Sequence, residues 1–169
     1  GVQTCSLPIY RDTRLRKLDE GQYAGIILAA AGLKRLGLAQ RIRHIFATDQ
    51  MLPAAGQGAL GIEIRTQRED LAQALSFLVH QPTWLTVAAE RAVSRAMGGS
   101  CSMPLAAHAE LHDDRLWLRA AWGEPEGSPR LITANIEGTA RTLTEAERLG
   151  LQLADQLKSQ GARSEEHKS

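Results

Sequence analysis

Cysteine, aromatic residues and long apolar runs are all scarce in this sequence. The two cysteines, Cys5 and Cys101, lie far apart in unlike surroundings, which argues against a disulfide framework and favours a reducing cytoplasm. The longest apolar run, residues 24–33, is about half as long as a membrane-spanning helix requires. No secretory pattern of charged start, apolar stretch and small-residue cleavage site is present. We therefore expect a cytoplasmic protein of one or two ordinary domains, without a membrane partner.

Histidines and aromatic residues are present, but not in the patterns that bind metals or nucleic acids. No histidine pairs with a cysteine at ligand spacing, so we expect no metal site; the histidines are His44, His80, His108, His112 and His167. Five of the seven aromatic side chains do not interleave with the basic residues, so we expect no nucleic-acid partner; they are Phe46, Phe77, Trp84, Trp117 and Trp122.

Positive charge is concentrated near the start of the chain. Residues 11–43 have a local balance of +5, whereas the whole chain carries +1, so the remainder is acidic. A basic segment beside an acidic remainder favours an anionic ligand over a membrane or DNA surface. A solvated cationic face without a ligand is the alternative that charge alone leaves open.

The N-terminal third predicts a helix, a strand and a second helix. The first nine residues have no hydrophobic period and resemble a translated sequencing-library adapter, so we interpret residues 1–9 as an artefactual leader. Asp12 or Thr13 can cap a short helix that ends at Gly21. Residues 23–31 predict a buried parallel strand, and a further helix begins at Gly32.

A glycine-rich stretch follows and leads into a strand and a helix. Gly56, Gly58 and Gly61 indicate backbone that lies close to a ligand or crosses between domains. Alternating apolar residues at 60, 62 and 64 predict a strand, and residues 69–79 predict a helix. Alternation of helices and strands is typical of an α/β sheet.

The C-terminal half predicts a small α+β domain with a three-stranded antiparallel sheet and helices. A helix over residues 83–97 is stopped by Gly98 and Gly99, which places Cys101 in a glycine-rich loop. Strands are expected at 105–111, 116–122 and 131–136. A capping box from Thr144 to Glu147 opens a last helix, and residues 164–169 form a charged tail that we expect to be disordered.

Three segments of this chain resemble consecutive signatures of the porphobilinogen deaminase family: LRKLDEGQYAGIILAAAGLKRLGL, LPAAGQGALGIE and AERAVSRAMGGSC-x-x-P. Their order and spacing extend the resemblance over residues 12–161. It implies partial α/β domains like those of periplasmic binding proteins, followed by the small α+β domain. Residues 10–57 would be the C-terminal half of domain 2, residues 58–79 a returning strand and helix of domain 1, and residues 80–163 domain 3.

The resemblance also implies a covalent cofactor, dipyrromethane, joined through a thioether to Cys101. Sulfur adds readily as a thiolate to an electrophilic methylene-pyrrole, and a loop of small residues leaves room for two rings. The alternative is that Cys101 is a small buried apolar residue, as lone cysteines usually are.

By the same resemblance, basic residues hold the acetate and propionate groups of the pyrroles. Arg14 and Arg35 would bind carboxylates, and Thr13 would add donors at a helix start. Gln57 and Gly58 would line the substrate cleft. The family condenses four porphobilinogen molecules, through polypyrrole intermediates, into hydroxymethylbilane and releases ammonia.

The family's catalytic aspartate has no counterpart in this chain, which therefore offers no catalytic residue of its own. We expect the isolated chain to be a monomer without deaminase activity. The alternative is a non-catalytic anion-binding remnant, with Cys101 unmodified.

Overall fold

The computed structural model describes residues 7–99, 103–124 and 130–163, and its chain forms two compact units that divide between Ile45 and Phe46. Residues 1–6 of the predicted leader lie outside the described residues. The whole predicted tail, residues 164–169, lies outside them as well. The helices are α1 (Leu7–Asp19), α2 (Ala30–Arg35), α3 (Glu69–Leu75), α4 (Gln81–Ala96) and α5 (Leu143–Ser159). The strands are β1 (Leu105–His112), β2 (Arg115–Gly123) and β3 (Leu131–Thr139), and two short 3-10 turns cover Ala39–Arg41 and Ser76–Leu78.

The first unit contains the predicted helices but not the predicted strand. Helix α1 begins at Leu7, earlier than expected, and Gly21 with φ +73° follows it in the left-handed conformation that its position predicted. The prediction of a buried strand over residues 23–31 is wrong, because no described strand pairs with this stretch and α2 begins at Ala30. Tyr23 and Ile27 are accordingly 46% and 64% exposed.

The apolar residues at 60, 62 and 64 also lie outside the sheet of the described residues. Leu60 is 81% exposed and Ile62 is 59% exposed, so the alternating pattern has no partner strand to cover it here. The helix expected over residues 69–79 ends as α3 at Leu75 and continues as a 3-10 turn.

The predicted antiparallel sheet is confirmed, with the order β1-β2-β3. Leu111 pairs with Leu116 beside a tight turn, in which Asp113 takes φ +54° as hairpin turns of this kind require. Side chains on β2 alternate between the two faces, so that four of its apolar residues point to the buried side. These inward residues, all at most 1% exposed, are Leu116, Leu118, Ala120 and Trp122.

Helices α4 and α5 cover the apolar face of the sheet and pack closely against each other. The apolar stripe of α4 recurs every four residues, at Leu85, Ala89 and Val93 and at Met97 just after the helix, and is buried as its spacing predicts. Gly150 of α5 lies so close to Ala89 that an added Cβ would stand 2.3 Å from the Ala89 carbonyl oxygen. A residue without a side chain is therefore required at this crossing.

The capping box of α5 is formed two residues earlier than predicted. The Glu145 backbone N–H donates to Thr142 Oγ1 (3.3 Å), and the Thr142 N–H donates to Glu145 Oε2 (3.1 Å). Both Thr142 and Thr144 precede a glutamate by three residues, so the motif fits either. The box forms at Thr142 because α5 begins at Leu143 and Thr142 has the extended backbone of a cap. The prediction of a box from Thr144 to Glu147 is wrong.

Replacing Thr142 by alanine is expected to lower the free energy of unfolding by about 1 kcal/mol, because the Glu145 N–H loses its acceptor. Thr144→Ala is the matched control and should change stability by less than about 0.5 kcal/mol, since Thr144 is exposed within the helix. Urea unfolding of the two variants distinguishes the positions. A larger loss for Thr144→Ala would contradict the observed cap.

Candidate functional site

The segment that joins α4 to β1 is fixed to the domain at its described ends. Gly98 (φ +109°) and Gly99 (φ +63°) reverse the chain after α4, and the Gly99 N–H donates to the Ser94 carbonyl (2.8 Å). Cys101, the expected attachment point of the cofactor, lies outside the described residues, as do its two neighbours.

Two methionines anchor this segment on either side of Cys101. Met97 is fully buried in the core, and Met103 packs against that core from the other end. The Gly123 N–H donates to the Pro104 carbonyl (2.9 Å), which ties the start of β1 to the end of β2. Residues on both sides of Cys101 are therefore packed against the core or hydrogen-bonded to the sheet.

The glycine-rich stretch forms a turn at residues 56–58. Gly56 (φ +74°) and Gly58 (φ +90°) both take left-handed backbone, and the Ala59 N–H donates to the Gly56 carbonyl (3.1 Å). An added Cβ would meet nothing nearer than 3.9 Å at either glycine, so the backbone angle, not crowding, requires glycine. Gln57 and Gly58, the expected cleft residues, are exposed.

Sequence reasoning missed Glu90, the one buried charged residue among those described, with 6% of its surface exposed. Its Oε2 accepts from the Gly56 N–H (2.7 Å) and its Oε1 from the Ala109 N–H (2.8 Å). His108 Nδ1 lies 3.6 Å from Oε1. Glu90 sits beside the apolar stripe of α4, and a charged residue at that border was the available signal.

Burial raises the pKa of Glu90, and it outweighs three opposing contributions. The hydrogen bonds from the Gly56 and Ala109 amides lower the pKa, as does the charge of His108. Two directed donors with a desolvated carboxylate are typical of a group that fixes backbone in place.

The predicted basic and hydroxyl residues lie in the first unit. Arg14 is exposed on α1, and Arg35 is exposed at the last residue of α2. Thr13 is half-buried on α1. Gln57, Gly58 and the residues around Cys101 belong to the second unit.

Within the second unit, an open groove of about 1150 Å³ lies between residues 55–80 and α4. Apolar and cationic side chains line it together, among them Leu60, Ile62, Val79, Trp84, Arg91 and Arg95. Trp84 is 47% exposed and Val79 is 40% exposed, so much apolar surface faces the groove.

Among residues 7–99, 103–124 and 130–163 there is no group of three histidine, cysteine, aspartate or glutamate side chains that could hold a metal ion. The same described residues include no helix both long and apolar enough to span a bilayer.

Two family models match this chain in succession. The porphobilinogen deaminase dipyromethane cofactor binding domain matches residues 10–73. The porphobilinogen deaminase C-terminal domain matches residues 84–159. The dipyrromethane cofactor expected from the sequence is thus confirmed as the cofactor of the family.

Curated relatives named porphobilinogen deaminase match most of this chain. The protein of Albidiferax ferrireducens is 60% identical over 148 residues, which are 88% of this chain and 47% of the relative. That of Paraburkholderia phymatum is 56% identical over 151 residues, 89% of this chain and 46% of the relative. That of Ralstonia nicotianae is 57% identical over 152 residues, which are 89% of this chain and 45% of the relative. The chain spans about half the length of these relatives, and it belongs to the porphobilinogen deaminase family.

Proposed function

We propose that this chain is the cofactor-bearing part of a hydroxymethylbilane synthase, which joins four porphobilinogen molecules into a linear tetrapyrrole. The observation that carries the proposal is the anchored segment between α4 and β1, at the place where the family signature has its cysteine. When bound, dipyrromethane supplies the pyrrole end to which the substrate units are added.

Cys101 is the attachment residue in this proposal. Its thiolate attacks the methylene carbon of a pyrrole unit from which ammonia leaves, so that one C–S bond forms as one C–N bond breaks. On either side of it in the sequence, Met97 lies in the hydrophobic core and Met103 packs against that core. A short segment rich in small residues fits a bulky group better than a packed core would.

Permanently charged side chains bind the carboxylates of the growing chain. Arg14 and Arg35 can each form two parallel hydrogen bonds to one carboxylate, and both are exposed. Thr13 adds a hydroxyl, and Gln57 and Gly58 line the cleft. Porphobilinogen and polypyrrole intermediates are the ligands, and the protein is a cytoplasmic monomer.

The domain layout follows the family. Residues 10–57 form part of domain 2, residues 58–79 a returning strand and helix of domain 1, and residues 80–163 domain 3, with the first two of the periplasmic-binding-protein type. The exposed Leu60 and Ile62 support this layout, because an alternating apolar stretch needs neighbouring strands to cover it. The N-terminal half of the relatives would supply them.

The isolated chain should not turn over porphobilinogen, because the family's catalytic aspartate belongs to the half that this chain does not match. The test is to assay the chain alone and together with the N-terminal half of the Albidiferax ferrireducens relative, and to record the intact mass. We expect turnover and a two-pyrrole mass increment on Cys101 in the combined protein. Reversible carboxylate binding with Cys101 unmodified would instead support the anion-binding alternative.

A further inference from the structure

Residues 46–56 are attached to the C-terminal domain by side-chain and backbone contacts along one edge of the sheet. Strand β1 is the edge strand, and the Ala107 N–H donates to the Pro53 carbonyl (3.2 Å). Arg119 Nη2 on β2 donates to Thr48 Oγ1 (3.2 Å). The next outward-facing donor of β1, the Ala109 N–H, is bound by Glu90 and not by this segment.

Glu90 accepts the Ala109 donor at this edge and connects α4, β1 and the 56–58 turn. It belongs to α4, its Oε1 accepts from β1 at Ala109, and its Oε2 accepts from Gly56 at the start of the turn. Both bonds are short, and each connects residues distant in sequence. A buried charge is costly unless its partners are fixed, so the arrangement favours one position of the turn.

We propose that Glu90 is a positioning residue that holds the 56–58 turn in a fixed place relative to α4. The importance of this position for the site rests on the proposed function. In that function α4 leads into the segment that contains Cys101, and the turn contains the proposed cleft residues Gln57 and Gly58. One carboxylate would thereby hold the proposed cleft residues against α4 and β1.

The charged groups around Glu90 are few and already paired. His108 of β1 faces it, and the other ring nitrogen of His108 lies 3.4 Å from Glu110 Oε1. Arg119 of β2 binds that same Glu110 oxygen (3.1 Å). From α5, Glu147 approaches α4 but is paired with Arg95 at 3.0 Å.

The test is amide hydrogen exchange on the whole 169-residue chain, with Glu90→Ala, Glu90→Gln and the control Glu147→Gln. Glu90→Ala should raise the exchange rates of the Gly56 and Ala109 amides at least about tenfold, while amides of the β2–β3 pair keep theirs. Glu90→Gln retains one acceptor oxygen and should restore protection at one of the two amides. Glu147→Gln should change neither, because its ion pair is exposed.

A pH titration keeps the test valid if Glu90→Ala does not fold. In the unaltered chain, the Gly56 and Ala109 amide proton shifts should move together in a single step as Glu90 is protonated, and Glu90→Gln should abolish that step. Unchanged exchange at Gly56 in Glu90→Ala, or shifts that do not titrate together, would overturn the proposal. A missing adduct on Cys101 would refute the proposed function and leave these amide results standing.

Discussion

Gly150→Ala is expected to destabilise the C-terminal domain by about 3 kcal/mol, which is at the upper end of what overpacking costs. The new Cβ would stand 2.3 Å from the Ala89 carbonyl oxygen and 2.7 Å from the Ala92 Cβ. Neither atom can rotate away, so α4 and α5 would have to separate. Alanine is favoured over glycine in a helix by about 1 kcal/mol, and the clash must outweigh that gain.

Gly138→Ala is the matched control for this prediction. The three atoms nearest to its Cβ would be the two methyl groups and the Cγ of Leu149, the closest at 2.7 Å, and a leucine side chain can adjust. We expect a loss of about 1 kcal/mol or less. Urea unfolding followed by far-UV circular dichroism measures both variants. A Gly150→Ala variant as stable as the unaltered chain would contradict the close packing of α4 on α5.

Cys101→Ser should abolish cofactor attachment in the combined protein. Oxygen at this position is far less nucleophilic than a thiolate at neutral pH, so no two-pyrrole mass increment should form. Without an anchored starting group, deaminase turnover should fall by at least about 100-fold, the scale of losing a covalent catalytic group. Intact-mass spectrometry and a porphobilinogen consumption assay measure the two effects.

Cys5→Ser provides the matched control, because it removes the other thiol of the chain. It should leave both the mass increment and the turnover unchanged. An increment that persists in Cys101→Ser, or that disappears in Cys5→Ser, would show that the attachment residue is assigned wrongly.

The C-terminal domain could be predicted from the sequence because its signals are local. The stripe of Leu85, Ala89 and Val93 marks one face of α4, and the alternation along β2 marks its inward side. The capping box was placed two residues late because two overlapping Thr-x-x-Glu motifs occur, and only the start of the helix distinguishes Thr142 from Thr144.

Features that depend on distant residues could not be read from the sequence. A strand over residues 23–31 needs a neighbouring strand, and the described residues offer none, so Ile27 stays exposed. Glu90 is recognisable only once Gly56 and Ala109 are seen beside it, since neither is near it along the chain. The family signatures led to Cys101, Arg14 and Arg35, whose proposed roles await the tests above.

The close crossing of α4 and α5 has a consequence for the order of folding. The three strands pair only with sequence neighbours, so the sheet can form from short-range hairpins, whereas α4 and α5 lie on either side of it in the chain. Contact between the two helices must close the longest loop of the domain, and we expect it late, after the transition state. Gly150→Ala would then mainly speed unfolding and leave the folding rate almost unchanged, so that this helix crossing governs how long the folded domain survives.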